Sequence, residues 1–452
     1  MVRGMDKDTS VNIKKEIART LIVLSIPTIL EEILSTLFQY VDTAMVGHLG
    51  EAATASVSVT TTITWLVNSI PHAISIAILA MVAKAFGAKD ENRIRKISMQ
   101  ALMLAVVCGI ITGGISLICS PYIPIWMGAD KSIIHDASEY FFIISIPMLF
   151  RTASIILGAA IRATKNTKTP MLISLFSNIL NIIMNTLLIY ILDMGVAGAA
   201  IASATSYVFS GTLMFIVYRR NKYLNWKFKE FTIDGHCMEE CAKIGIPVLA
   251  SSLTSCLGYV VFAGMVSGMG TTIFAAHSLA VTAETIFYIP GYGLRTATST
   301  LVGISLGEND GEKFRLVSKM SIIFTVGMMV VSGVVLYFVA YPLMCLLTSS
   351  RPAAELGAEM LKMVSFSEPF FGIMIVMEGI FYGLGRTKYA FCVETFSMWG
   401  IRIFFTFICV KIFALDLRAV WYCMIADNVV KAVLLAIPAV MKRKMVEFGE
   451  NC

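Results

Sequence analysis

Residues 20–46 read TLIVLSIPTILEEILSTLFQYVDTAMV, and only Glu31, Glu32 and Asp42 in that stretch are charged. A helix needs about 20 mostly apolar residues to cross the hydrocarbon of a bilayer. The stretch therefore predicts a transmembrane helix. Asp42, near its far end, is the anomaly. An ionised side chain at mid-bilayer costs roughly 2.5–3.5 kcal/mol on insertion scales. Such a group is tolerable where it faces a bundle interior or a wet cavity and holds a partner or an ion.

Eleven further blocks of the same kind follow. The expected spans are about 20–46, 53–83, 97–119, 140–161, 170–190, 196–218, 244–268, 272–305, 320–347, 360–384, 389–413 and 419–440. Over 452 residues the chain is 57% hydrophobic and 15% charged, with mean hydropathy +0.77. Soluble domains carry about 25% charged residues. The fold class expected is an all-α polytopic membrane protein with twelve transmembrane helices.

The net charge of +6 does not indicate a nucleic-acid surface. The basic residues sit in short loops between apolar blocks. One alternating set of loops is rich in Lys and Arg: residues 1–19, 84–96, 162–168, 219–243, 313–319, 386–388 and the tail. The other set (GHLGEAA, LDMGVAG, SGMGTT) is nearly free of them. The positive-inside rule then places both termini in the cytoplasm. No cleavable signal is evident, and residues 11–19 suit a short amphipathic lead-in helix. The ten Cys show no disulfide framework. His236, Cys237 and Cys241 in HCMEEC are too thin a ligand set for a structural metal, and we read them as a reduced cytosolic loop.

The loop 219–243 splits the spans six and six, and a shift of 220 residues aligns the halves. Pro27 meets Pro247, Gly50 meets Gly270, Gly87 meets Gly307, Asp90 meets Asp310, Arg95 meets Arg315, and Thr167-Lys168 meets Thr387-Lys388. Six is even, so the halves enter the membrane in the same direction, as parallel repeats. We expect residues 1–218 as an N-lobe, 219–243 as a cytoplasmic linker and 244–452 as a C-lobe. The two pseudo-symmetric six-helix bundles would flank a central cleft, the plan of a transporter. No GxxxxGK[ST] phosphate cradle is present. Gly291/Gly293 and Gly383/Gly385 read as bends or helix ends. The drive must then be an ion gradient, and the protein should need no cofactor beyond sodium or protons.

The intramembrane groups able to bind an ion are Glu31, Glu32, Asp42, Glu284, Glu378, Glu394 and Asp427, with Arg151, Arg295, Arg402 and Lys431 as possible partners. Asn178, Asn181 and Asn185 lie at i, i+3 and i+7, one helix face, with Ser203 and Thr205 in the next span. With Asp42 they can replace the water shell of sodium or hold a proton. They can equally be interhelical glue. Glu284 can bind ion or substrate, or pair with Arg295 or another interior cation. Glu394 and Arg402 suit a structural role, and Asp427 and Lys431 suit each other. His72 and His277 suit packed polar residues. Pro27, Pro71, Pro247 and Pro290 mark expected bends.

PTILEEILSTLFQYVDTAMVGHLG resembles the first-helix signature of the multidrug and toxic compound extrusion (MATE) family. VAKAFGAKD, RATKNTKTPM, NIIMNTLLIY, GVAGAAIASATS, FYIPGYGLRTATSTLVGISLGEND, FYGLGRTK and WGIRI are also similar to family segments, over nearly the whole chain. The resemblance implies a twelve-helix, two-lobe antiporter in the plasma membrane. Such proteins export amphipathic, often cationic compounds against sodium or proton entry. Asp42 matches the first-helix Asp, Asn181 and Asn185 the fifth-helix pair, Ser203 a sixth-helix Thr and Glu284 an eighth-helix Glu of one branch. Where another branch has a seventh-helix Glu and a tenth-helix Asp, this chain has Ser255 and Phe371, which argues against a C-lobe cation site of that sort. The turn YGLGRT has Tyr382 for the usual Arg and Arg386 for the usual Asp. The partners expected are a small amphipathic substrate and the lipid bilayer, with no nucleic acid, in a monomer. Two rival readings are a lipid-linked oligosaccharide flippase of the same superfamily and a membrane-embedded enzyme. Flippases of that kind tend to have fourteen spans, and no intramembrane catalytic motif is present for the enzyme.

Overall fold

The computed structural model describes residues 7–440, and every regular element among them is helical. The long helices are α1 (Lys7–Gly47), α2 (Glu51–Gly87), α3 (Glu91–Cys119), α4 (Ile134–Ser145), α5 (Met148–Ala163), α6 (Lys168–Ile191) and α7 (Gly195–Arg220). The second half supplies α8 (Gly235–Ser267), α9 (Thr271–Gly307), α10 (Gly311–Leu347), α11 (Arg351–Ser365), α12 (Glu368–Gly383), α13 (Thr387–Ile412) and α14 (Leu417–Val440). Ten are individually long and apolar enough to cross a membrane, and counting the pairs α4/α5 and α11/α12 as one bent span each gives twelve.

The breaks between paired helices fall at other prolines than the four marked as expected bends. Pro27, Pro71, Pro247 and Pro290 lie inside unbroken helices. The sharp turns, 51° between α4 and α5 and 59° between α11 and α12, fall at Pro147 and just before Pro369. A proline has no N–H to continue the i→i−4 ladder. Residues 140–161 and 360–384 are thus not straight spans. Gly291 and Gly293 are also not helix ends: both are buried within α9, where an added Cβ on Gly293 would come 2.5 Å from the backbone N of Ile29. Gly383 does close α12, and Gly385 takes φ +69° in the turn after it.

The 220-residue repeat is written into the backbone. Asp90 and Asp310 each cap the following helix, accepting from Arg93 N and from Glu312 and Lys313 N respectively. Gly50 and Gly270 take φ +110° and +123°, and Lys165 and Gly385 take φ +65° and +69°. In each pair the left-handed turn persists at the same offset, in the second pair even though one member carries a side chain.

The chain forms two compact units, residues 30–249 and residues 7–29 with 250–440. In the first, α5 packs on α2, α3 and α7; in the second its repeat mate α12 packs on α9, α10 and α14. The first unit's apolar core includes Val46, Tyr140, Phe141, Ile189 and Ala199. The second includes Phe262, Leu336, Met360, Leu361 and Trp421. Residues 221–234, between α7 and α8, are stitched to α3: Ser98 donates to Leu224 O (2.6 Å), Gln100 to Thr232 O (2.7 Å), and Lys96 pairs with Asp234 (3.5 Å); Arg93 pairs with Glu240 of α8 (2.7 Å). HCMEEC opens α8 rather than lying in a loop. Asp234 caps that helix by accepting from Cys237 N (3.1 Å).

Candidate functional site

In the unit of residues 30–249, three helices bring the polar side chains of the first repeat together. Asn185 Nδ2 on α6 donates to Asp42 Oδ1 on α1 at 2.6 Å. The same nitrogen lies 3.1 Å from Asn181 Oδ1, and Asn181 Nδ2 donates to Ser203 Oγ on α7 at 3.3 Å. The i, i+4 amides meet because both project from one side of the α-helical part of α6. Directly after Asn185 the helix widens to π geometry over Thr186–Ile191. A π turn re-aims the side chains around it and is frequent at working sites. Tyr190 in that turn donates to Met45 O at 3.2 Å, fastening α6 to α1 one turn from Asp42.

Two features suit this cluster to a small cation. No basic side chain among the described residues lies within 4 Å of Asp42, so its charge is not spent on a fixed ion pair. Asn185 is fully buried, yet its Oδ1 has no hydrogen-bond donor. A buried carbonyl oxygen without a donor is costly, and a cation supplies what it lacks. Tyr140 on α4, buried in the core, feels the charges of Asp42 and of Arg151. Arg151 itself lies over the ring of Tyr207 at 4.4 Å. Asn178 is not drawn into the relay, and its Nδ2 is buried without a partner. Thr205 spends its hydroxyl on Ile201 O at 2.8 Å. Glu31 is occupied by Arg162 at 3.2 Å.

The second repeat has a different arrangement, all within the unit of residues 7–29 and 250–440. Glu284 is buried on α9 and does not pair with Arg295, which binds Glu378 at 3.0 Å. No cation among the described residues lies within 4 Å of Glu284, and Arg402 is committed elsewhere, its Nε 2.8 Å from Asp427 Oδ2. Lys431 reaches the same oxygen at 3.1 Å, so the expected Asp427–Lys431 pair forms but shares its carboxylate. Glu394 is bound by the hydroxyls of Ser251 and Ser255, the latter at 3.0 Å. Arg402 lies eight residues further along α13, about 12 Å of helix rise away, in a segment of π geometry over Met398–Ile403. Phe371 packs against Tyr288 with ring centroids 4.9 Å apart. His277 lies edge-on between Phe262 and Trp421.

Sequence reasoning misses Glu368. It is 1% exposed at the start of α12, and its Oε2 has no hydrogen-bond partner. The acid sits in SEPFF, where it passes for an ordinary first-turn carboxylate of a helix. Tyr140 is missed as well, since nothing local ties it to Asp42.

Outside the spans, the Asp234 carboxyl is held below the usual carboxylate range, chiefly by the Cys237 backbone N–H and further by Lys96 at 3.5 Å.

A MatE family profile matches residues 27–187 and 247–408, so the two matched segments begin 220 residues apart. Among similar proteins is the "Probable multidrug resistance protein NorM" of Thermotoga maritima, 26% identical over 426 residues, covering 93% of this chain and 91% of the relative. Another is the "Probable multidrug resistance protein YoeA" of Bacillus subtilis, 21% identical, covering 90% of each chain. Among solved structures, a MATE in complex with MaL6 superposes with TM-score 0.90 at 19% identity, over 96% of this chain and 98% of that one. A mutant of the Vibrio cholerae MATE transporter VcmN superposes with TM-score 0.91 at 17% identity, over 97% of this chain and 99% of that one. The structures establish the shared fold. With the profile covering well over half the residues, the chain belongs to the MatE family and is a multi-spanning membrane transporter, not an enzyme.

Proposed function

We propose that the protein is a secondary active antiporter that exports amphipathic, cationic drugs or metabolites in exchange for sodium or protons. The observation that carries this reading is Asp42: a carboxylate in a predicted span, without a basic partner, facing an amide whose own oxygen lacks a donor. Such a group binds a single monovalent cation reversibly. The curated relatives named for multidrug resistance support a drug-like substrate. Glu284 is a second candidate for ion or substrate, with Arg402 spent on Asp427. The transport lobes are residues 1–218 and 244–452, joined by a cytoplasmic linker, in a monomer with both termini in the cytoplasm of a plasma membrane. The loop charges support that orientation.

Transport follows from alternating access. Aromatic and methionine side chains give an adaptable lining for an apolar cation. Ion arrival at Asp42 replaces the hydrogen bond from Asn185 with direct coordination or a shared proton. That changes how α1 and α6 are held together. The ion can shift the equilibrium only by binding the two conformations unequally. The test is dye export, read as uptake into inverted vesicles, under an imposed proton gradient and, separately, a sodium gradient. One gradient should drive efflux in the wild type. Asp42→Asn should abolish it while reaching the membrane at normal levels; driven efflux by that variant removes Asp42 from the mechanism.

A further inference from the structure

The bend between α11 and α12 leaves a groove of about 520 Å³ against α10 and α14. Its walls are Tyr337, Phe366, Phe370, Tyr422, Ile425 and Val429. Phe366 is 73% and Tyr422 61% exposed, while the Tyr337 and Phe366 rings meet at 5.7 Å. The charges are confined to one end. Glu359 there is neutralised by a two-pronged contact with Arg418 (2.7 and 3.1 Å). Lys362 is exposed, and no acidic side chain among the described residues lies within 4 Å of it; its ammonium rests 5.8 Å from the Tyr337 ring. Asp416 reaches the same Arg418 at 4.0 Å, so the end is balanced in sum, and Lys362 is its cation with no acid within 4 Å among the described residues.

The direction of the groove follows from the helices. Arg351, Glu355, Glu359 and Lys362 form a polar stripe along α11, and Arg418 opens α14 one turn before Tyr422. Those charges belong at the membrane interface, since long basic side chains extend toward water from apolar surroundings. From there Tyr422, Ile425 and Val429 descend α14 at i, i+3 and i+7, and Phe366 and Phe370 run toward α12. Tyrosines at the charged end are the usual companions of lipid headgroups. The groove therefore presents the Lys362 ammonium and tyrosine rings at the interface, with a mostly apolar wall below it that includes Met363 and the single hydroxyl of Ser367.

We propose that this groove is a binding site for an anionic phospholipid, its phosphate on Lys362 and an acyl chain along Phe366, Phe370, Ile425 and Val429. The site rests only on the chain being in a bilayer, not on the transport reading. By the loop charges this end faces the non-cytoplasmic leaflet, where the lysine ammonium offers a phosphate a charge-assisted contact and the apolar wall takes the chain. A lipid lodged at the bend fills the gap between α11 and α12 and supports the bent geometry.

The experiment uses the full-length protein, delipidated in detergent, with phosphatidylglycerol, phosphatidylcholine or glycerophosphate added. Thermal unfolding and native mass spectrometry report stabilisation and retained lipid. Phosphatidylglycerol should stabilise more than phosphatidylcholine, and glycerophosphate should do nothing because it lacks the acyl chain. Lys362→Ala should weaken phosphatidylglycerol retention roughly tenfold or more, the loss of one charge-assisted contact. Val429→Trp should block retention of the chain while keeping Lys362, and both variants should fold because the positions are solvent- or lipid-facing. Equal stabilisation by both lipids, or undiminished preference in Lys362→Ala, overturns the proposal. So does stabilisation by glycerophosphate, which would mean a simple anion site, or competition by a cationic dye, which would mean a substrate portal.

Discussion

Replacing Asn185 with Leu keeps the branched, four-heavy-atom shape, though not the volume, and removes both the donor to Asp42 and the unpartnered Oδ1. A hydrogen bond to a charged group is worth about 1.5–3 kcal/mol. At 1.4 kcal/mol per factor of ten, the coupling ion's half-effective concentration should move about tenfold to a hundredfold. The direction reports the ion. If protons drive transport, the lost donor had favoured the ionised carboxylate, so half-maximal coupling moves to higher pH by about one to two units. If sodium drives it, an oxygen ligand is lost and more sodium is required by the same factor. The assay is dye efflux from proteoliposomes across a series of pH values and, separately, of sodium concentrations. Unchanged half-points in both series, with normal insertion, would refute the idea that Asn185 and Asp42 act together on the ion.

Other predictions concern stability. Asp427→Ala leaves Arg402 and Lys431 buried without their shared carboxylate, and breaking such a cluster costs about 3–5 kcal/mol; fluorescence size exclusion should show little folded protein. Gly383→Ala puts a Cβ 2.5 Å from Ser299 O and 2.8 Å from Val302 Cβ, an overpacking of about 1–3 kcal/mol visible as a lowered melting temperature. Asp90→Ala and Asp310→Ala remove equivalent helix caps and should each cost about 1 kcal/mol. Asp234, held below the ordinary value near 4, adds stability above that pH and loses it as pH falls through its lower folded value. Asp234→Ala should therefore flatten the acid limb of the melting-temperature profile.

The repeat is legible because its markers are obligatory at fixed points: cap carboxylates at Asp90 and Asp310, and positive-φ turns at Gly50 and Gly270. The relay from Asp42 to Ser203 is legible because amides three and four apart share a helix face. What helix spacing does not encode is which charge a buried group selects across a bundle. Arg295 pairs with Glu378 rather than Glu284, and Asp427 is shared by Lys431 and Arg402. Glu368 escapes notice because SEPFF reads as an ordinary first helical turn, and the packing around the 59° bend that buries the acid is not written in the local sequence.

The central claim, that the first-helix carboxylate exchanges its counter-ion, is tested most directly by counting bound charge. Purified wild type and Asp42→Asn should be titrated calorimetrically with sodium, and proton release on dye binding should be recorded with a pH electrode. The account predicts one monovalent cation per chain, sodium or proton, in the wild type and its loss in Asp42→Asn. Equal uptake or release by the two proteins would contradict it.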